Sequence, residues 1–177
     1  FPALAGFSGM RGGLFHILNH AIMKGGAFLC AGVFLYLLGT RELSKLSGLG
    51  RRLPVVSVCF IIFALALAGT PPLNGFMSKL FICRAGVDVA GWGLFFILML
   101  IFNSVISLFY YLGAINTVVF GAIPADQATE IPRVPFLMVL PIVVLALLCV
   151  LLGVFPDMGL QLVDPAAAQL ADMLGGI

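Results

Sequence analysis

Long apolar runs alternate with short polar segments along the whole chain. Residues 1–11 read as a short loop rich in Gly, Ala and Phe. The apolar run from Gly12 to Leu38 predicts a first membrane helix. Gly39 to Leu53 is polar and holds Arg41, Glu42, Lys45, Arg51 and Arg52. Pro54 stands where a helix begins readily, because its missing N–H costs nothing in a first turn. A second run goes from Pro54 to Ala68 and meets Gly69-Thr70-Pro71-Pro72-Leu73-Asn74-Gly75. Two adjacent prolines remove backbone hydrogen bonds and clash with the preceding turn, so the helix breaks between Gly69 and Gly75. Apolar sequence resumes at Phe76. Pro54 to Ala90 is therefore read as one discontinuous membrane helix, although its length leaves two separate helices open. A third span follows from Trp92 to Phe120 and a fourth from Pro135 to Phe155. Between them lies a polar loop, Gly121 to Val134, with Pro124, Asp126, Glu130, Pro132 and Arg133. Pro156 is expected to end the fourth span. Residues 156–177 then form a short extramembrane tail, with Asp157, Asp164 and Asp172 and a surface helix around Ala166 to Leu174. The expected fold is all-α, a polytopic transmembrane helix bundle. It has about four crossings, one of them discontinuous, in a single transmembrane domain over residues 1–177.

Composition supports a membrane. Of 177 residues, 62% are hydrophobic and only 9% charged, and the mean hydropathy is +1.21. A soluble domain carries about 25% charged residues, whereas a helix of roughly 20 apolar residues crosses a bilayer. A net charge of +2 with no basic cluster excludes nucleic acid as a partner. Cys30, Cys59, Cys83 and Cys149 each lie in or beside an apolar run, form no CxxC pair, and read as small buried hydrophobes. The chain starts Phe-Pro and shows no basic segment leading into a short apolar run and cleavage site. Its first residues are expected to be the middle of a longer protein. Four of the nine Lys and Arg residues fall in the Arg41–Arg52 loop, which places that loop in the cytoplasm. With one broken helix, the Gly121–Val134 loop is also cytoplasmic and the acidic tail is outside.

Charge appears where it is expensive. A charged group at the bilayer centre costs roughly 2.5–3.5 kcal/mol even on lenient scales. His16, His20 and Lys24 are spaced at four, so on a helix they form one polar stripe. Lys24 falls near mid-membrane, and lysine changes its charge state readily on burial. The plainer reading is a stripe that holds helices together, with His16 a satisfied structural histidine. Gly25, Gly26 and Gly32 would let other helices approach. A metal is not expected, because no third ligand accompanies the histidines and no Glu occupies the HExxH position. The second place is Lys79, just past Pro71, Pro72 and Gly75. Broken helices leave unpaired backbone groups that are tolerated at depth only where protein or water satisfies them, and they mark ion sites in transporters. The alternative is a lysine snorkelling from a hairpin turn. Arg84 and Asp88 are four apart and could pair. Asn103, Ser104 and Ser107 on the third span could face the same hydrated core or hydrogen-bond between helices.

Together these segments resemble a known family. His16-x-x-x-His20-Ala-x-x-Lys24, with Phe28 and Gly32 behind it, is similar to a late helix of the antiporter-like subunits of respiratory complex I. It is also similar to the matching helix of Mrp-type cation/proton antiporters and membrane-bound hydrogenases. Gly39-Thr-Arg-Glu-Leu and Leu46-Ser-Gly-Leu-Gly-Arg-Arg-Leu-Pro54 resemble the family's following loop. Ala68-Gly-Thr-Pro-Pro-Leu-Asn-Gly-Phe-Met-Ser-Lys79 resembles its second discontinuous helix. The resemblance runs from about Arg11 to Leu80, and its Leu-Asn-Gly-Phe-x-Ser-Lys wording is nearest the hydrogenase-type and archaeal relatives. It implies that Lys24 is a buried lysine of the C-terminal half-channel and that His16 and His20 connect it to neighbouring proton sites. Lys79 would be the terminal lysine that exchanges protons with one side. The family's first half, with a glutamate and a lysine on another broken helix, is not in this chain.

The function this implies is proton or cation translocation by buried Lys and His residues, in a multi-pass subunit of a prokaryotic cell membrane. The parent would be a complex I-like NADH/quinone, deazaflavin or hydrogenase oxidoreductase. A subunit of a Mrp-type Na+/H+ antiporter is the alternative, and a non-transporting scaffold the third reading. The partners are other membrane subunits of such a respiratory, hydrogenase or antiporter complex, the lipid bilayer, and protons or Na+. No cofactor is expected. The chain shows no dinucleotide fingerprint, no iron–sulfur ligand set and no nucleophile constellation, so electron transfer would belong to partner subunits.

Overall fold

The computed structural model describes residues 2–40, 42–89, 91–122 and 134–175. Among the described residues all regular structure is helical: α1 (Pro2–Leu38), α2 (Pro54–Ala68), α3 (Asn74–Val87), α4 (Gly93–Ile115), α5 (Phe136–Val154) and α6 (Pro156–Gly175). Short 3-10 turns, Leu43–Leu46 and Leu49–Arg51, join α1 to α2, and a π-helical turn, Asn116–Phe120, extends α4. Residues 2–11 are thus the start of α1 and not a loop. At roughly 1.5 Å per residue the 37 residues of α1 run well beyond the roughly 30 Å of a hydrocarbon core. Most of the expected Gly121–Val134 loop lies outside the described residues, as do Arg41 and Ala90.

Three stretches, Gly6–Leu38, Gly93–Phe120 and Phe136–Val154, are each long and apolar enough to cross a membrane. The fourth crossing is made by α2 and α3 together, since neither spans alone at 15 and 14 residues. Their order along α1 decides between a broken helix and a hairpin. Going backwards along α1, Cys30 Sγ meets the Val56 carbonyl at 3.8 Å and Gly26 receives the Phe63 ring. Asn19 then meets Asn74, His16 meets Ser78, Phe15 packs edge-on against Phe81, and Gly12 lies on the Phe81–Ile82 backbone. The partner numbers rise without reversal from 56 to 82. A hairpin would turn back on itself, whereas this is one antiparallel line interrupted at Gly69–Leu73. A 117° bend separates the 3-10 turns from α2, so those turns do not lengthen the crossing.

α5 backs the break from another side. Gly153 packs against the Pro72–Asn74 backbone, and Ile142, Ala146 and Cys149 are buried with Phe63, Met23 and Cys30 in one core. The basic loop and the end of α4 share one end of the bundle, where the Gly48 N–H donates to the Thr117 carbonyl at 3.1 Å. α6 packs on the opposite end, against α1. This matches the relative sidedness expected from a single broken helix.

The tail departs from expectation. Pro156 does not merely stop α5; it opens a 20-residue helix, as a proline at a first helical position can. Leu160 and Ala167 of α6 are buried, and Gly159 lies on the Phe15 ring. The Arg11 guanidinium grips the Asp164 carboxylate with two parallel hydrogen bonds, Nη2 donating to Oδ2 at 3.0 Å.

A candidate ion-relay site at a broken helix

The end of α2 poses a complete accounting problem. A helix leaves its last four carbonyls without partners inside the helix, here those of Leu65, Ala66, Leu67 and Ala68. Gly69, in the left-handed region at φ 92°, turns the chain so that its N–H donates to Leu65 and Ala66 and the Thr70 N–H to Leu65. In a continuous helix the Leu67 and Ala68 carbonyls would accept from residues 71 and 72. Those are Pro71 and Pro72, which have no N–H. Lys79 takes their place. Its Nζ donates to the Leu67 carbonyl at 3.2 Å and to the Ala68 carbonyl at 3.0 Å. The ammonium thereby sits at the negative end of the α2 dipole. The approach is tight: a Cβ on Gly69 would stand 2.9 Å from Nζ, and a Cβ on Gly75 would collide with the Ala66 carbonyl. Lys79 thus folds back onto the break and does not extend along α3 to a bilayer surface, as snorkelling would require.

One residue before it, Ser78 is fully buried and joins α3 to α1. The Ser78 hydroxyl donates to the Gly75 carbonyl at 3.1 Å. Having one proton, it can only accept in its 2.9 Å contact with His16 Nδ1. Neutral His16 therefore carries its proton on Nδ1 and its lone pair on Nε2. His16 lies within electrostatic reach of both His20 and Lys79, and its ring centroid is 5.9 Å from that of His20.

The predicted stripe divides between two environments. His16 faces α3, while His20 is exposed on the outer side of α1 and Lys24 is half-buried. The Lys24 ammonium lies over the Phe28 ring, 5.7 Å from its centroid, near the midpoint of the Gly6–Leu38 span. Phe28 is itself exposed, so this end of the stripe opens out of the described bundle. Of the small residues expected to admit neighbours, Gly26 takes Phe63 and Gly25 meets Leu145, while nothing approaches Gly32.

A cleft of about 520 Å³ opens between α3 and α4 beside the break, lined by Lys79, Thr70, Cys83 and Ser104 among apolar side chains. Ser104 is the only one of the three expected polar residues of α4 that lines it. Asn103 is exposed and Ser107 lies off the cleft. The Ser104 and Ser107 hydroxyls donate back to the carbonyls of Leu100 and Asn103 in their own helix. Arg84 and Asp88 form no ion pair among the described residues. Cys30, Cys59 and Cys149 are buried and Cys83 is partly so.

Sequence reasoning passed over the buried amide pair Asn19 and Asn74, both fully buried, with Asn74 Nδ2 donating to Asn19 Oδ1 at 3.0 Å. It also passed over Ser78 and the Arg11–Asp164 fork. Asparagine inside an apolar run was the available signal for the first.

The lysine-capped break and the histidine helix both lie within a segment that matches a known family. Residues 2–107 match the family described as NADH:quinone oxidoreductase/Mrp antiporter, transmembrane. The chain belongs to this family. It is 31% identical over 179 residues to Na(+)/H(+) antiporter subunit A1 of Staphylococcus haemolyticus, covering 94% of this chain and 22% of that protein. It is 31% identical over 170 residues to F(420)H(2) dehydrogenase subunit N of Methanosarcina mazei, covering 91% of this chain and 34% of that one. Among solved structures, the membrane-bound sulfane sulfur reductase, an archaeal respiratory membrane complex, superposes with a TM-score of 0.78 at 32% identity. That match covers 93% of this chain and 32% of the other. The chain spans about a fifth to a third of the length of these relatives.

Proposed function

We propose that this family member forms one half of an ion path, in which Lys24, His16, His20 and Lys79 pass protons across the membrane inside a larger complex. The observation that carries the reading is the Lys79 ammonium bound at the centre of the broken crossing, beside the His16–Ser78 contact. A lysine there is held by carbonyls that accept from either charge state, more strongly from the charged one. A charge arriving at His16 acts on Lys79 through space, because charges are weakly screened in a low-dielectric interior. Lys24 takes or gives a proton at the open face of α1, His20 and His16 carry it inward, and Lys79 completes the step on the far side of the α1–α3 interface. The parent is a complex I-like oxidoreductase whose other subunits carry out the electron transfer. Similarity to an F(420)H(2) dehydrogenase subunit and to a respiratory complex supports that parent.

Similarity to an Na(+)/H(+) antiporter subunit over 94% of the chain favours a second reading, a Mrp-type exchanger. The two separate in proteoliposomes holding the purified parent complex. A redox-linked pump moves protons only when electron donor and acceptor are supplied, whereas an exchanger moves protons against an imposed Na+ gradient without either. Both readings fail if Lys24→Ala leaves ion movement unchanged in a normally assembled complex.

A further inference from the structure

The outer faces of α2 and α5 carry two grooves divided by one ridge. The first, about 400 Å³, runs between Val55, Val58 and Ile62 of α2 and Val143 of α5. The second, about 490 Å³, follows α5 past Val144, Leu151 and Val154 to Phe155. Leu147 and Val150 border both. No amide, hydroxyl or charged side chain lines either groove. Val58 and Leu147 are 57% and 63% exposed. α5 runs beside α2 in the same direction, because Val143 shares the first groove with Pro54 while Gly153 reaches the Pro72–Asn74 backbone at the break. At roughly 1.5 Å per residue the wall from Val144 to Phe155 is about 16 Å long, the depth of one leaflet in a hydrocarbon core of roughly 30 Å.

Charge stands at the mouth of the grooves. Pro54 lines the entrance to the first, and Arg51 and Arg52 directly precede it, Arg51 exposed. Successive Cα atoms are about 3.8 Å apart, so the Arg51 Cα lies within about 11 Å of the Pro54 Cα. The turn that carries both arginines is held by the Arg51 N–H on the Gly48 carbonyl at 3.2 Å and the Arg52 N–H on the Leu49 carbonyl at 3.0 Å. The 117° bend lays it across the end of the bundle and not along α2. Glu42, the acidic residue of this loop, pairs with Lys45 at 2.9 Å. A cationic rim above two parallel apolar grooves matches a two-chain lipid with an anionic head. A protein helix fits less well, because helix contacts in lipid favour small and polar residues, and these grooves present bulky Val, Leu and Ile. We propose that the α2–α5 face binds an anionic phospholipid, its phosphate held by Arg51 with Arg52 beside it and its two acyl chains on either side of Leu147 and Val150. Guanidinium groups suit a phosphate, which they meet with paired donors, and basic segments at a membrane surface attract anionic lipid. The site stands apart from the proton relay, and either can fail without the other.

Photo-cross-linking within the intact parent complex tests this. A benzophenone amino acid is placed at Leu147 or, as a control, at Phe109 of α4, which is 72% exposed. The purified complex is reconstituted in vesicles of equal parts phosphatidylglycerol and phosphatidylcholine, and the adducts are identified by mass spectrometry. One arginine near the surface corresponds to about a fivefold preference for anionic lipid, so adducts at Leu147 should favour phosphatidylglycerol by about five to one or more, and those at Phe109 by about one to one. The preference at Leu147 should vanish in Arg51→Gln/Arg52→Gln and persist in Arg51→Lys/Arg52→Lys, which keeps the charge. Equal lipid adducts at Leu147 overturn the proposal, and so does a preference that survives the glutamine pair. A protein adduct at Leu147 overturns it too, since a helix would then cover the grooves. Should the glutamine variant not assemble, the lipid ratio with the native arginines decides alone.

Discussion

Lys79 donates to the carbonyl of Leu67, the acceptor that Pro71 cannot serve. The relationship joins residues twelve apart in sequence and ties a charged side chain to the geometry of the break. Removing the amine strands two buried carbonyls. Lys79→Met should therefore lower the stability of the assembled complex by about 2–6 kcal/mol, at 1–3 kcal/mol for each lost buried partner. The midpoint of thermal unfolding in detergent measures this, and a shift no larger than that of an exposed lysine would count against the cap.

Gly75 admits no side chain. Its Cβ would meet the Ala66 carbonyl, a backbone atom that cannot swing aside. Gly75→Ala is expected to force the α2 and α3 ends apart and to deplete assembled protein in membranes severely. Gly32→Ala, where nothing lies within 4 Å, should be accepted at wild-type level within the described bundle. Quantitative blots of membrane fractions compare the two.

Ser78→Ala removes the acceptor that fixes the His16 proton on Nδ1. One hydrogen bond of about 1 kcal/mol corresponds to roughly a fivefold effect, so ion movement should fall by about that factor while assembly is preserved. Initial rates in proteoliposomes, normalised to complex content, provide the measurement.

The Arg11–Asp164 pair is expected to contribute little. Both side chains are about one-third exposed, and exposed pairs are worth roughly 0–1 kcal/mol and are screened by salt. A double-mutant cycle with Arg11→Ala and Asp164→Ala should give a coupling in that range, shrinking as salt rises. Ala167→Leu, at a fully buried position of α6, should cost more, about 1–3 kcal/mol from overpacking.

Much of this architecture was written locally. Pro71 and Pro72 announce a break wherever they stand in a helix, and the long apolar runs announce the crossings. What could not be read locally was the partner of each polar group. The spacing of His16, His20 and Lys24 puts them on one face, but which element that face meets depends on helices far away in sequence. His16 turns out to serve α3, while Lys24 turns outward. Asn19 and Asn74 looked like incidental polar residues because a lone amide in an apolar run reads alike whether it meets lipid, a neighbouring helix or another amide. Residues 1–11 read as a loop because Gly, Ala and Phe are frequent there, and 156–177 as an acidic tail with only a short helix around Ala166 to Leu174. They are helical because they pack on each other, through Phe15 against Gly159 and Arg11 against Asp164, contacts about 150 residues apart in sequence.

Sidedness offers another check. The Gly48–Thr117 contact puts the basic loop and the end of α4 at one end of the bundle, with α6 at the other. A membrane-impermeant amine reagent applied to right-side-out vesicles should spare Lys45, and the same reagent applied to inverted vesicles should modify it.

The account depends above all on a lysine at the break that exchanges protons within the membrane. Proton movement measured with a pH-sensitive dye in proteoliposomes of the parent complex carrying Lys79→Met tests that most directly. Proton movement abolished per assembled complex, with complex content measured alongside, is the predicted result. Wild-type proton movement from a fully assembled Lys79→Met complex would contradict it.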